Sequence, residues 1–132
     1  MGGHKYKLVL VVDDNDIETF ITSKTINDND FAEKIITFLS AKEGLEYLKA
    51  NENNTEKLPS IIFLDIIMPK MDGFAFLDEF DKMNDTIHKQ CKVVLLSTSE
   101  SLQDLNRANK NKYVSKFLTK PLMKEALEAL NF

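Results

Sequence analysis

Ile61-Ile62-Phe63-Leu64-Asp65-Ile66-Ile67-Met68-Pro69-Lys70-Met71-Asp72-Gly73 is the stretch on which the reading of this 132-residue chain turns. Its first four residues are wholly apolar, branched or aromatic, and the run ends abruptly in a carboxylate. A strand that is apolar on both sides has to be covered on both sides, and this is how strands of a parallel sheet read. Pro69 and the Asp72-Gly73 pair mark a turn. Phe74, Phe76, Leu77 and Phe80 then continue at helical spacing to about Met83-Asn84-Asp85.

The same pattern of an apolar run closing on polar chemistry recurs outward from there. Lys7 to Val12, a run of β-formers, ends in Asp13-Asp14, and the apolar Val93 to Leu96 in Ser97-Thr98-Ser99, while Tyr113 to Leu118 reads as a last strand that reaches Lys120-Pro121. A shorter strand is expected at Lys34 to Phe38. Helical spacing fills the gaps. Ile17, Phe20 and Ile21 open a helix that reaches about Ile26, Leu45 and Leu48 mark one over Ala41 to Lys49, and Leu102 to Asn109 forms another. A closing helix near Met123 to Leu130 turns Leu127 and Leu130 inward. The polar segment Asn51 to Lys57 is a connector. Five strands alternating with five helices predict an α/β fold, a doubly wound five-stranded parallel sheet with helices on both faces. The domain is expected over residues 7–132, after a flexible leader over 1–6.

Composition removes several function classes. With 43% hydrophobic and 29% charged residues, the chain reads as one soluble globular domain, too short for a catalytic unit plus an output unit. Its 17 basic and 21 acidic residues give a net charge of −4, so no basic stripe for nucleic acid is expected. No apolar run approaches the roughly 20 residues of a membrane helix, and the N-terminus lacks a signal-peptide layout. The expected location is cytoplasmic, with neither membrane nor nucleic acid as partner. The single cysteine, Cys91, excludes an internal disulfide and has no base beside it to make it a nucleophile. His4 and His88 lack metal-ligand spacing. Gly2, Gly3, Gly44 and Gly73 cannot form a phosphate-binding glycine loop.

Ligands of an open α/β sheet bind beyond the carboxyl ends of its strands. Asp13, Asp14, Asp65, Ser97 or Thr98, and Lys120 are therefore expected at one edge. Clustered carboxylates raise one another's pKa unless a cation lies among them. Oxygen ligands favour Mg²⁺, which keeps waters and contacts phosphate. A lysine and a hydroxyl beside such an ion suit a phosphoryl group in transfer.

Together Val11-Val12-Asp13-Asp14, Asp65 through Gly73, the Ser97 cluster and Lys120-Pro121 resemble the receiver domain of two-component response regulators, over about Lys7 to Leu130. The resemblance implies a flavodoxin-like, receiver-type fold in which Asp65 accepts a phosphoryl group from a histidine kinase or phosphotransfer protein. It implies that Asp14 and Asp65 ligate Mg²⁺ directly, that Asp13 acts through water, and that the Ile67 main-chain carbonyl supplies another oxygen. Lys120 would pair with the phosphate, Ser97 would turn toward it, and Phe117 would repack in response. The hydroxyl is open between Ser97, the first polar residue after the run, and Thr98, on which the commoner family spacing from Lys120 falls. We favour Ser97. Ile67 stands where many relatives are polar, which predicts slower attack by water and a longer-lived phosphate. Two other functions compete: an adaptor of the same fold that is not phosphorylated, against which the intact acid and lysine set argues, and a small aspartyl phosphatase. The latter wants a general acid two residues after Asp65, where Ile67 stands.

Overall fold

The computed structural model describes residues 4–98 and 102–132. In chain order it runs β1 (Tyr6–Val12), α1 (Asp16–Asp28), β2 (Ala32–Phe38), α2 (Ala41–Ala50), a 3₁₀ turn (Thr55–Lys57), β3 (Ile61–Asp65), α3 (Gly73–Asp81), α4 (Asp85–Gln90), β4 (Lys92–Ser97), α5 (Leu102–Lys110), β5 (Val114–Thr119) and α6 (Lys124–Ala129). The strands are all parallel in the order β2-β1-β3-β4-β5. β1 and β3 thus flank the point where the winding reverses.

Alternation along the strands builds two cores. Leu10, Val12, Ile62, Leu64, Val93 and Leu95 point to one face and meet Leu45 and Leu48 of α2, Phe76, Leu77 and Phe80 of α3, Ile87 of α4 and Ala108 of α5. Val9, Val11, Ile61, Phe63, Val94 and Leu96 point to the other and meet Ile26 of α1 and Leu127 of α6. All of β3 is buried, as an apolar central strand requires. Among the described residues no helix is long and apolar enough to cross a membrane.

The structure departs from the sequence reading in three places. β1 starts at Tyr6, inside the stretch read as a leader, because the Tyr6 ring packs 5.1 Å from that of Phe31 and its N–H donates to the Phe31 carbonyl. Residues 1–3 of that leader, and Ser99 of the hydroxyl cluster, lie outside the described residues. β2 begins at Ala32, two residues early. A sixth helix, α4, follows α3, started by the Asn84 side chain, which accepts from the Ile87 N–H at 3.0 Å. The inward face of α1, which the spacing left open, is decided by the fold. Its buried residues are Thr19, Thr22 and Ile26, whereas Ile17, Phe20 and Ile21 are exposed.

Candidate functional site

Parallel register sets the strand ends level. Val12 pairs with Leu64, Asp65 with Leu96, and Ser97 with Thr119. The residues that follow or close these strands, Asp13, Asp65, Ser97 and Lys120, therefore gather at the carboxyl edge. The Lys120 main-chain N–H donates to the Ser97 carbonyl at 2.9 Å, which anchors the lysine to the end of β4. The peptide bond between Lys120 and Pro121 is cis.

Asp13 is 2% exposed and uses both carboxylate oxygens. Oδ1 accepts from the Asn15 N–H at 3.0 Å, and Oδ2 lies 2.6 Å from Lys120 Nζ. The helix cap itself is Asn15, whose side chain accepts from the Glu18 N–H at 2.9 Å. Lys120 Nζ also lies 3.2 Å from Asp65 Oδ1 and 2.6 Å from Glu18 Oε2. Burial alone would lower the Lys120 pKa, but hydrogen bonds to Asp13 and Glu18 and the charge of Asp65 outweigh it, so the lysine is held firmly charged. Asp65 is pushed the other way. Burial first, and the charge of Asp13 second, raise its pKa to about 6 despite Lys120.

The loop after Asp65 folds back under tight steric limits. The Gly73 N–H donates to the Ile66 carbonyl at 2.8 Å, and a Cβ on Gly73 would stand 2.8 Å from the Asp65 carbonyl oxygen and 2.9 Å from Ile66 Cα. Only glycine lets α3 begin this close to the end of β3. Asp72 caps α3 by accepting from the Ala75 N–H at 2.8 Å, and Lys70 takes the positive φ (67°) of the turn.

The structure thus brings together Asp13, Asp65 and Lys120 of the expected set, with Ser97 fully buried at the end of β4. Asp14 is exposed and stands outside the carboxylate group, because the chain leaves β1 at Asp13 and turns the next side chain to solvent. Thr98 is exposed and lines a small cavity with Glu18, Thr22, Lys120 and Pro121. Ile67 is exposed on the loop. Phe117 lies opposite Leu95, half-buried against the core beneath α2 to α5. Sequence reasoning missed Glu18. Asp13, Glu18 and Asp65 each offer a carboxylate oxygen within 4.8 Å of the others, an arrangement able to hold a metal ion. Nothing in a first-turn acid distinguishes it from one that favours the helix dipole.

This edge, with a buried strand-end aspartate between a second acid and a charged lysine, meets its counterpart among known proteins. The response regulator receiver domain matches residues 9–131. The chain belongs to that family. It is 32% identical over 121 residues to the probable methanogenesis regulatory protein FilR2 of Methanothrix harundinacea, covering 92% of this chain and 76% of that one. It superposes with a TM-score of 0.88 on the crystal structure of a two-component response regulator from Cytophaga hutchinsonii, 30% identical, over 95% of this chain and 93% of the other. The Mn(2+)-bound form of response regulator Rcp1 shares the fold at 22% identity and TM-score 0.72, over 92% of this chain and 87% of that one. The receiver is a signalling domain of two-component systems, and its doubly wound parallel sheet is the one expected from the sequence.

Proposed function

We propose that this receiver takes a phosphoryl group on Asp65 from a histidine kinase or phosphotransfer protein and reports the change through protein contacts. The observation that carries the reading is the placement of Asp65, 6% exposed at the end of β3, with Lys120 Nζ 3.2 Å from Oδ1. Phosphoryl transfer needs little from a protein beyond positioning and charge stabilisation, and Lys120 supplies a fixed positive charge where phosphoryl oxygens arrive. The donor set consists of hard oxygen ligands and fits Mg²⁺. Asp13 and Asp65, with the Ile67 main-chain carbonyl, would hold it, and Asp14, exposed and outside the carboxylate group here, would turn inward to join them. The ion would neutralise charge on the phosphoryl oxygens. A Mn²⁺-bound relative of the same fold supports a divalent-metal site.

Ser97, buried beside this edge, is the hydroxyl proposed to turn toward the phosphoryl group. Phe117, two positions before Thr119 on the neighbouring strand, is proposed to repack after it. Ile17, Phe20 and Ile21 form an exposed apolar face on α1, and Ile21 borders the cavity that contains Lys120. This face thus lies beside Lys120, which pairs with Asp65. The face is therefore proposed as the donor's docking surface, since apolar area at the centre of an interface is what excludes water there.

Intact mass after incubation with acetyl phosphate tests the reading. One phosphoryl group is gained with Mg²⁺ present and none without it, and Asp65→Asn gains none. An unlabelled wild type, under conditions that label another receiver, would support the adaptor reading instead.

A further inference from the structure

Lys120 is held by three carboxylates, and the proposed phosphoryl chemistry accounts for two of them. Its ammonium lies 2.6 Å from Asp13 Oδ2, 2.6 Å from Glu18 Oε2 and 3.2 Å from Asp65 Oδ1. An ammonium has three protons to donate. Two of them go to Asp13 and Glu18, and Asp65 stands within ion-pair distance of the same nitrogen, so a phosphoryl oxygen arriving at Asp65 competes with these carboxylates for Lys120.

The partners do not yield equally. The Asp13 side chain is 3% exposed and would be left as an unpaired buried charge. Asp65 is the acceptor itself and keeps its place at 7% exposure. The Glu18 side chain is 33% exposed, on the rim, where water replaces the lysine at little loss. Its backbone is pinned by the Asn15 cap, so the carboxylate is presented to Lys120 by the first turn of α1 rather than by a wandering side chain.

We propose that Glu18 is a positioning residue of the unphosphorylated site: it holds Lys120 through an ion pair that the incoming phosphoryl group displaces, and so restrains phosphorylation of Asp65. The inference rests on the reading of Asp65 as phosphoacceptor. In the reaction with acetyl phosphate, an Asp65 carboxylate oxygen bonds to phosphorus as the bond from phosphorus to the acetyl oxygen breaks. Acetate leaves with that electron pair, Lys120 transfers its hydrogen bond from Glu18 to a phosphoryl oxygen, and Glu18 passes to water with its charge unchanged. Glu18 makes no covalent bond, and its negative charge also opposes the approach of an anionic donor.

A plain structural role, in which Glu18 only complements the helix dipole, predicts no gain in rate on removing the charge. The test is a time course of Mg²⁺-supported labelling by acetyl phosphate, read by intact mass, at low and high salt. It compares wild type with Glu18→Gln, Glu18→Ala and Asp16→Asn. The last removes an exposed acid from the same helical turn that has no ion pair among the described residues. Both Glu18 variants label about two- to fivefold faster at low salt, the advantage shrinks as salt screens the charge, and Asp16→Asn follows wild type. Equal or slower labelling of both Glu18 variants overturns the inference, as does an equal acceleration by Asp16→Asn. Absence of label on the wild type overturns the reading of Asp65 and this inference with it.

Discussion

Asp65 is disfavoured in its charged form where it stands, first by burial and then by Asp13. Its pKa of about 6 records a carboxylate that burial and Asp13 both disfavour in its charged form, with Lys120 only partly compensating. In metal-free protein at pH 7, Asp65→Asn is therefore expected to raise stability by about 1–3 kcal/mol in thermal or urea unfolding. Mg²⁺ is expected to stabilise the wild type and to do much less for the variant, because an ion stabilises only the state that binds it. A variant less stable than wild type without metal would show that Asp65 is a structural ion-pair member instead. Ile67 sits on the exposed loop two residues on, and its apolar side chain cannot orient an attacking water. Ile67→Asn is expected to lose its phosphate about fivefold faster, the worth of one hydrogen bond, in an autodephosphorylation time course. A wild type that decays as fast would remove Ile67 from that role. Asp13 and Asp65 were legible in the sequence because each closes an apolar run, and Lys120 because it follows a strand and precedes Pro121, and parallel strands that share a register bring their ends together. Glu18 was not, because it lies inside a helix, and no local pattern tells which strand end a helical acid will meet.

Elements position these residues, and the junction of β3 with α3 is the least forgiving of them. A methyl group on Gly73 meets backbone atoms of Asp65 and Ile66 at under 3 Å, and backbone cannot step aside as a side chain can. Gly73→Ala is expected to lose about 1–3 kcal/mol in urea unfolding and to label more slowly, since the shift falls on the peptide that carries Asp65. Unchanged stability with unchanged labelling would contradict the tight approach. The Asp72-Gly73 pair was readable as a turn, but the crowding behind it needs the tertiary fold. The same limit applies to α1. The spacing of Ile17, Phe20 and Ile21 correctly marks a helix, but periodicity does not say which face turns inward. Thr19 faces the sheet instead, where its single hydroxyl proton is shared between the carbonyls of Asn15 (2.8 Å) and Asp13 (3.2 Å), next to the site. α4 went unread because six residues with a single buried side chain, Ile87, give no period to detect. Its signal was the cap, Asn84, three residues before that apolar anchor.

At the scale of the whole molecule, two cores clamp one sheet, and the chemistry occupies the single edge that the winding leaves open. The fold class was legible almost completely, because runs such as Val93 to Leu96 are buried on both faces and leave no alternative to a covered parallel sheet. The integrity of that clamp can be read at Cys91, 3% exposed, whose thiol burial pushes up to about 12. The sign is that of an acid raised on folding. The unfolded thiol ionises near pH 9 and the folded one does not, so stability is retained below that range and declines as pH rises toward 12. At pH 8.5 iodoacetamide is expected to alkylate native Cys91 at least about 100-fold more slowly than the urea-unfolded chain, and comparable rates would mean that the core opens there. The claim on which the rest depends is that Asp65 carries the phosphoryl group. Borohydride reduction of the acetyl-phosphate-treated protein, followed by peptide mass analysis, tests it most directly, because it converts an aspartyl phosphate to homoserine in place. Homoserine is expected at position 65 and at no other aspartate, dependent on Mg²⁺. Homoserine at Asp13 or Asp14, or a phosphoryl group on a hydroxyl that borohydride leaves untouched, would contradict it.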